Sequence, residues 1–188
     1  MNNNLIQEQS LSLPMQISEL AKVLTFATVS ILSFFVPFTL GHSQWLVGTI
    51  VNACLFLTAM YLPKKYFIPL AILPSLGVLA RGLVFGPLTM FLVYFLPFIW
   101  LGNLILLYVF EYTTNLTGVR FRGYNLLYGV TGSAVGKFAF LFLVANIYYN
   151  FQIVPAIFLQ TMGVFQLFTA LSGGAIAFII LKSLKYGK

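Results

Sequence analysis

YGVTGSAVGKFAFLFLVANIYY, residues Tyr128 to Tyr149, is an apolar run long enough to cross a bilayer, with one lysine, Lys137, near its centre. It shows no strict alternation of polar and apolar residues, so it reads as a helix rather than a strand. In hydrocarbon, only helices and closed barrels satisfy every backbone polar group, and apolar runs of about 20 residues belong to the helices. The whole chain agrees with this stretch. Of its 188 residues, 60% are hydrophobic and 7% are Asp, Glu, Lys or Arg, and its mean hydropathy is +0.97. A soluble domain carries about a quarter charged residues. The fold class is therefore an all-α membrane protein.

The segment from Gly132 to Lys137 invites comparison with a phosphate-binding P-loop, GxxxxGK followed by Ser or Thr. Here Gly132 and Gly136 are separated by three residues, and Phe138 stands where the magnesium-binding hydroxyl belongs. The nucleotide reading fails. The same two glycines match the small-xxx-small spacing of closely packed membrane helices.

Six spans fit the hydropathy pattern: 19–40, 45–62, 66–85, 87–112, 123–149 and 155–181. Gly41-His42-Ser43-Gln44, Pro63-Lys64-Lys65, Gly86-Pro87, the polar stretch 113–123 and the segment 150–155 punctuate them. This predicts a polar N-terminal segment over 1–18, a six-helix transmembrane domain over 19–182, and a basic tail over 183–188. The first residues lack the basic start and small-residue cleavage site of a signal peptide.

Eight of the ten Lys and Arg residues (Lys22, Lys64, Lys65, Arg120, Arg122, Lys182, Lys185 and Lys188) fall on one side if the N-terminus is inside. Both termini are then expected to be cytoplasmic. The net charge of +7 is accounted for by this orientation and by anionic lipid headgroups, and requires no nucleic acid.

Arg81 and Lys137 remain inside spans, where a charge costs about 2.5–3.5 kcal/mol on insertion scales and marks a candidate site. Amide side chains share the membrane with them. Asn103 falls midway along span four, Gln166 a third of the way into span six, and Asn52 at a similar depth in span two. Asn103, Lys137 and Gln166 lead the candidate substrate-binding residues, followed by Arg81 and Asn52. Helix phase puts Lys137, Leu141, Val144 and Tyr148 on one face of span five, with Asn146 roughly opposite. On span six, Leu159, Met162, Gly163, Gln166 and Thr169 form one stripe, with Gln160 off it. The alternative for Lys137 is an intramembrane contact with backbone carbonyls or with Glu111. Each Asn or Gln, taken singly, is more often interhelical glue than a ligand contact.

The acidic residues are Glu8, Glu19 and Glu111, the one histidine is His42, and the one cysteine is Cys54. These assemble no paired carboxylates, metal-ligand cluster or nucleophile–base arrangement. Neither an enzyme, nor a cofactor, nor a metal site is expected.

Four stretches carry a family resemblance: residues 42–53 (HSQWLVGTIVNA), 73–76 (LPSL), 97–103 (PFIWLGN) and 166–174 (QLFTALSGG). With Lys137-Phe138 and in this order, the chain resembles the substrate-binding S components of energy-coupling factor (ECF) transporters, in a subgroup without an assigned substrate. The resemblance runs from about Ala21 to Leu181. It implies a six-helix receptor in the cell membrane of a bacterium or archaeon that captures a vitamin or similar micronutrient. Uptake would require an ECF transmembrane coupling protein and separate ATPase subunits as partners. It further implies a ligand site at Asn103, Lys137 and Gln166, a lid contribution from His42 and Gln44, and docking through small residues of span one. The family's Ala-xxx-Ala docking pattern is imperfect here, with Ala21, Thr25 and Ala27 the nearest match. A competing expectation is a structural or assembly subunit of a larger membrane complex, without a ligand of its own.

Overall fold

The computed structural model describes residues 18–40, 43–85, 89–116 and 123–186. Six long helices follow the hydropathy pattern: α1 (Glu19–Leu40), α2 (Gln44–Tyr61), α3 (Phe67–Phe85), α4 (Thr89–Asn115), α5 (Gly123–Asn150) and α7 (Val164–Tyr186), with a one-turn α6 (Ile157–Thr161) before the last. A 3-10 turn, Lys64–Tyr66, leads into α3. No strand occurs among the described residues. Five segments are long and apolar enough to cross a membrane: α1, α2, most of α4, most of α5, and α6 with α7 together. The chain is a multi-pass α-helical membrane protein.

The boundaries match the sequence expectation closely for the first three spans. At the fourth, the polar residues Thr113 and Thr114 do not end the helix, because both hydroxyls fold back on carbonyls of the preceding turn. The larger correction concerns span six. It is not one helix: it breaks at Met162–Gly163. The break frees the Thr161 carbonyl, which accepts the Gln44 side chain at 3.3 Å and the Gln166 side chain at 3.4 Å. A backbone group in an apolar setting needs such a partner.

Cross-links define the two ends of the bundle. The end carrying the α1–α2 and α5–α6 connections, here the top, is tied by Arg81 to the end of α1 and by Gln44 to α6. At the bottom, Lys64 pairs with Glu111 at 3.1 Å. Helix α2 is the central element, with α1, α3, α4 and α7 packed around it. Three apolar clusters fill the interior. A lower one joins α2, α3, α4, α5 and α7 around Phe56, Leu106 and Phe110. An upper one joins α4, α5 and the α6 region around Phe95, Leu141 and Met162. A third, around Val29, Cys54 and Leu70, holds α1 against α2 and α3.

Of the two expected glycines, only Gly136 lies at a close helix approach. A Cβ on Gly132 would meet nothing within 4 Å, and one on Gly136 would touch only Ile105. The packed face of α5 lies one position round, through Val130, Ser133, Ala134 and Lys137. Tight seams occur between α1 and α3, where a Cβ on Gly77 would collide with the Phe34 carbonyl oxygen, and between α2 and α7, where a Cβ on Gly173 would lie 2.7 Å from the Ala53 nitrogen and 2.8 Å from the Thr49 carbonyl oxygen.

The top of α5 ends in a Schellman motif. Gln152 takes a left-handed conformation (φ 56°), Ile153 N donates to Tyr148 O, and Gln152 N donates to Tyr149 O. This is the usual way for a helix to satisfy its last carbonyls, although glycine is the usual residue at that position.

Candidate functional site: a buried lysine held by two asparagines

Lys137 lies 14 residues from the start of α5 and 13 from its end. Its Nζ donates to Asn52 Oδ1 at 2.7 Å and to Asn103 Oδ1 at 2.8 Å. Asn52 is likewise at the middle of α2 and Asn103 at the middle of α4, so three helices meet at their midpoints. The site is closed: Lys137 is 3% exposed, Asn103 2% and Asn52 1%. Ala134, one turn below Lys137, belongs to the lower apolar cluster, and Leu141, one turn above, to the upper one. The polar centre thus sits between two apolar layers.

Both asparagines turn their oxygens to the ammonium and pass their N–H groups outward. Asn52 donates to Thr169 Oγ1 at 3.2 Å, and Thr169 in turn donates to Phe165 O at 2.7 Å. Asn103 donates to Ala71 O at 2.8 Å. That carbonyl lies beside a proline-loosened turn of α3, because Pro74 removes the bond to the carbonyl four residues back. One turn above Asn103, Trp100 Nε1 donates to Ser75 Oγ and closes the same α3–α4 seam. The network therefore reaches α2, α3, α4, α5 and α7, every long helix but α1.

The expected site residues divide accordingly. Asn52, Asn103 and Lys137 come together; Gln166 and Arg81 do not join them. Gln166 serves the broken turn at Thr161, and its place beside Lys137 is taken by Thr169, one turn further along α7. The break at Met162–Gly163 supplies the free Thr161 carbonyl that engages Gln166. Arg81 donates to Phe38 O at 3.0 Å and to Thr39 O at 2.9 Å, capping the end of α1. Gln44 reaches α6, while His42 lies outside the described residues. Asn146 bonds Asn150 on the exposed face, and Gln160 is exposed. Of the docking candidates, Ala27 is exposed, and Ala21 and Thr25 are half-buried. Trp100 bonds Ser75, and Tyr94 is exposed.

Glu111 is not the partner of Lys137. It lies two turns below Asn103 and pairs with Lys64. Among the described residues, no group of His, Cys, Asp and Glu has the arrangement to hold a metal ion. The sequence reading missed Thr49, whose Oγ1 is buried without a hydrogen-bond partner one helical turn above Asn52. Its signal was its i, i+3 spacing from Asn52. A cavity of about 510 Å³ opens at the top between Phe91, Tyr149 and the loop 150–155, and no member of the triad lines it.

Comparison with protein families, with curated proteins and with solved structures gives no match to this chain. Its class rests on its own helices.

Proposed function

We propose that the chain is a membrane-embedded substrate-binding subunit for uptake of a vitamin or similar small micronutrient, working with a separate ATP-hydrolysing ECF module. The observation that carries this reading is Lys137. It is a cation at the middle of its helix, held only by neutral amide oxygens, with no carboxylate beside it among the described residues. Intramembrane ionisable residues normally pair with one another or mark a substrate path. The broken last span supports the same reading, since irregular backbone at membrane depth is tolerated only where it is buried in protein or lines a cavity.

In this account six helices span the membrane, both termini are cytoplasmic, and the top of the bundle is the outer face. The side with Lys22, Lys64, Lys65 and Lys182 is then inside. Helix α1 stands outside the Lys137 network and leaves Leu20, Leu24, Ile31 and Phe35 uncovered. This suits docking to a transmembrane coupling protein, with Ala21, Thr25 and Ala27 on or beside the uncovered face. The resemblance of the four sequence stretches to ECF S components supports the ATPase partners.

The test is affinity purification of the full chain from its native membrane. The reading requires ATPase subunits to co-purify, and a small molecule to be released on mild denaturation of the wild type but not of Lys137→Met. The alternative is a structural or assembly subunit without its own ligand. One observation favours it: the triad is closed, and two of the three Lys137 N–H groups already have partners. It requires partners unrelated to ATPases, and no released small molecule.

A further inference from the structure

On the binding reading above, a ligand must rest where the protein is open, and the triad is packed shut. The opening is the upper cavity of about 510 Å³, within the size range of small-molecule sites. It lies between the start of α4 and the loop that follows α5, with Phe91, Tyr149, Asn150 and Gln152 on its wall. Phe91 is braced by other rings. Its centroid lies 6.0 Å from that of Phe158, which stacks at 5.2 Å on the fully buried Phe95. The triad supports the same floor: Leu141, one turn above Lys137, shares the upper apolar cluster with Val154 of the cavity wall. Lys137 is then a positioning residue, fixing α5 against α4 beneath the cavity, and not a ligand contact.

Charge and hydrogen bonding both restrict what this wall can hold. It contains no Asp, Glu, Lys, Arg or His. Helix α4 carries no charge above Glu111, none occurs between Lys137 and Lys182, and Arg81 is engaged on the end of α1. A charged head group entering here would lose water without gaining a counter-charge. The wall's uncommitted polar group is a carboxamide. Asn150 spends its N–H on Asn146 Oδ1 at 2.7 Å, whereas no side-chain hydrogen bond ties up Gln152 among the described residues. Gln152 thus offers a donor and an acceptor side by side. Its backbone is left-handed (φ 56°) where glycine is usual, and strain of this kind collects at ligand sites. We propose that the ligand is an uncharged flat ring with an amide-type edge, its ring on Phe91 and Tyr149 and its edge paired with the Gln152 carboxamide. An amide or lactam meets Gln152 donor to acceptor and acceptor to donor. A carboxylate only accepts and would set an oxygen against the Gln152 carbonyl, while an amidinium only donates and would oppose its NH2 group.

The experiment uses the purified full chain in lipid nanodiscs and three probes on one ring system: 2-naphthamide, 2-naphthoate and 2-naphthamidine. Thermal stabilisation is expected with 2-naphthamide and not with the two charged probes. Gln152→Gly is expected to raise the ligand-free melting temperature, by relief of the left-handed residue, and to weaken 2-naphthamide about tenfold, as loss of two neutral hydrogen bonds does. A merely structural role for Gln152 would not move the two in opposite directions. Equal stabilisation by either charged probe overturns the proposal, as does no stabilisation by any probe. An undiminished 2-naphthamide shift in Gln152→Gly overturns it too, and marks entry of the probe into lipid. The two readings fail separately. A charged molecule released from the native protein would refute the neutral ligand and leave the binding subunit standing. Release of no molecule, without ATPase partners, would refute the binding subunit itself.

Discussion

Arg81 and Lys137 are both basic residues within long helices, and the protein accommodates them in opposite ways. Arg81 sits near the end of α3 and needs only backbone: the last carbonyls of α1, Phe38 O and Thr39 O, lack intrahelical donors and accept its guanidinium. The negative end of the α1 dipole adds to the attraction. Lys137 sits at the middle of α5, where intact helices offer no spare carbonyl. It is held instead by side-chain amides from two other helices, and those amides are anchored on two more. A terminal cation is thus a local cap. A central one organises five helices, and that effort argues for a role beyond packing.

The largest expected effect breaks the comparison at its centre. Asn103→Leu removes an acceptor from Lys137 and the donor to Ala71 O, and should cost about 3–5 kcal/mol, as unpairing a buried charge does. The Asn103→Leu/Lys137→Met double variant should regain most of that stability, because replacing both partners with apolar groups can be nearly neutral. Thermal unfolding of the single and double variants in nanodiscs measures this. If the two are equally unstable, Lys137 is not what Asn103 serves.

The next effect sharpens the seam that closes the site. Gly173→Ala should cost about 1–3 kcal/mol by overpacking α7 on the α2 backbone, whereas Gly132→Ala, with open space around it, should be neutral or slightly stabilising. Similar melting temperatures for these two variants would show that the seam is loose. At the other cation, Arg81→Met should cost only about 1 kcal/mol, since water near the helix end can replace the guanidinium on the freed carbonyls. A loss as large as that of Asn103→Leu would erase the contrast. Smallest of all, Gln152→Gly should raise the unfolding free energy by about 1 kcal/mol, through relief of a left-handed non-glycine residue.

Much of this was legible in the sequence. Length and hydropathy suffice for helix placement, because a bilayer imposes one length scale on every span. The three residues of the triad stood out for a related reason: a polar atom in hydrocarbon is conspicuous wherever it sits. What could not be read was which of them meet. Gln166 and Thr169 share one stripe of the last span, but the break at Met162–Gly163 exposes the Thr161 carbonyl that takes Gln166, and only Thr169 reaches the network. No proline marks that break. The carbonyl it frees at Thr161 is met by Gln44, more than a hundred residues away, and by Gln166. Thr49 and the Ala71 carbonyl were invisible for the same reason, since a satisfied or orphaned group is defined by neighbours distant in sequence. Gly132 shows the converse: it fits the spacing pattern but meets no neighbour, whereas Gly136 packs against Ile105.

The central claim is that the Lys137 centre serves a bound small molecule rather than packing alone, and native mass spectrometry of the chain released from its own membrane tests it most directly. The account predicts a bound small molecule on the wild type, lost in a folded Lys137→Met variant. Equal small-molecule occupancy of both proteins, or none on either, would contradict it.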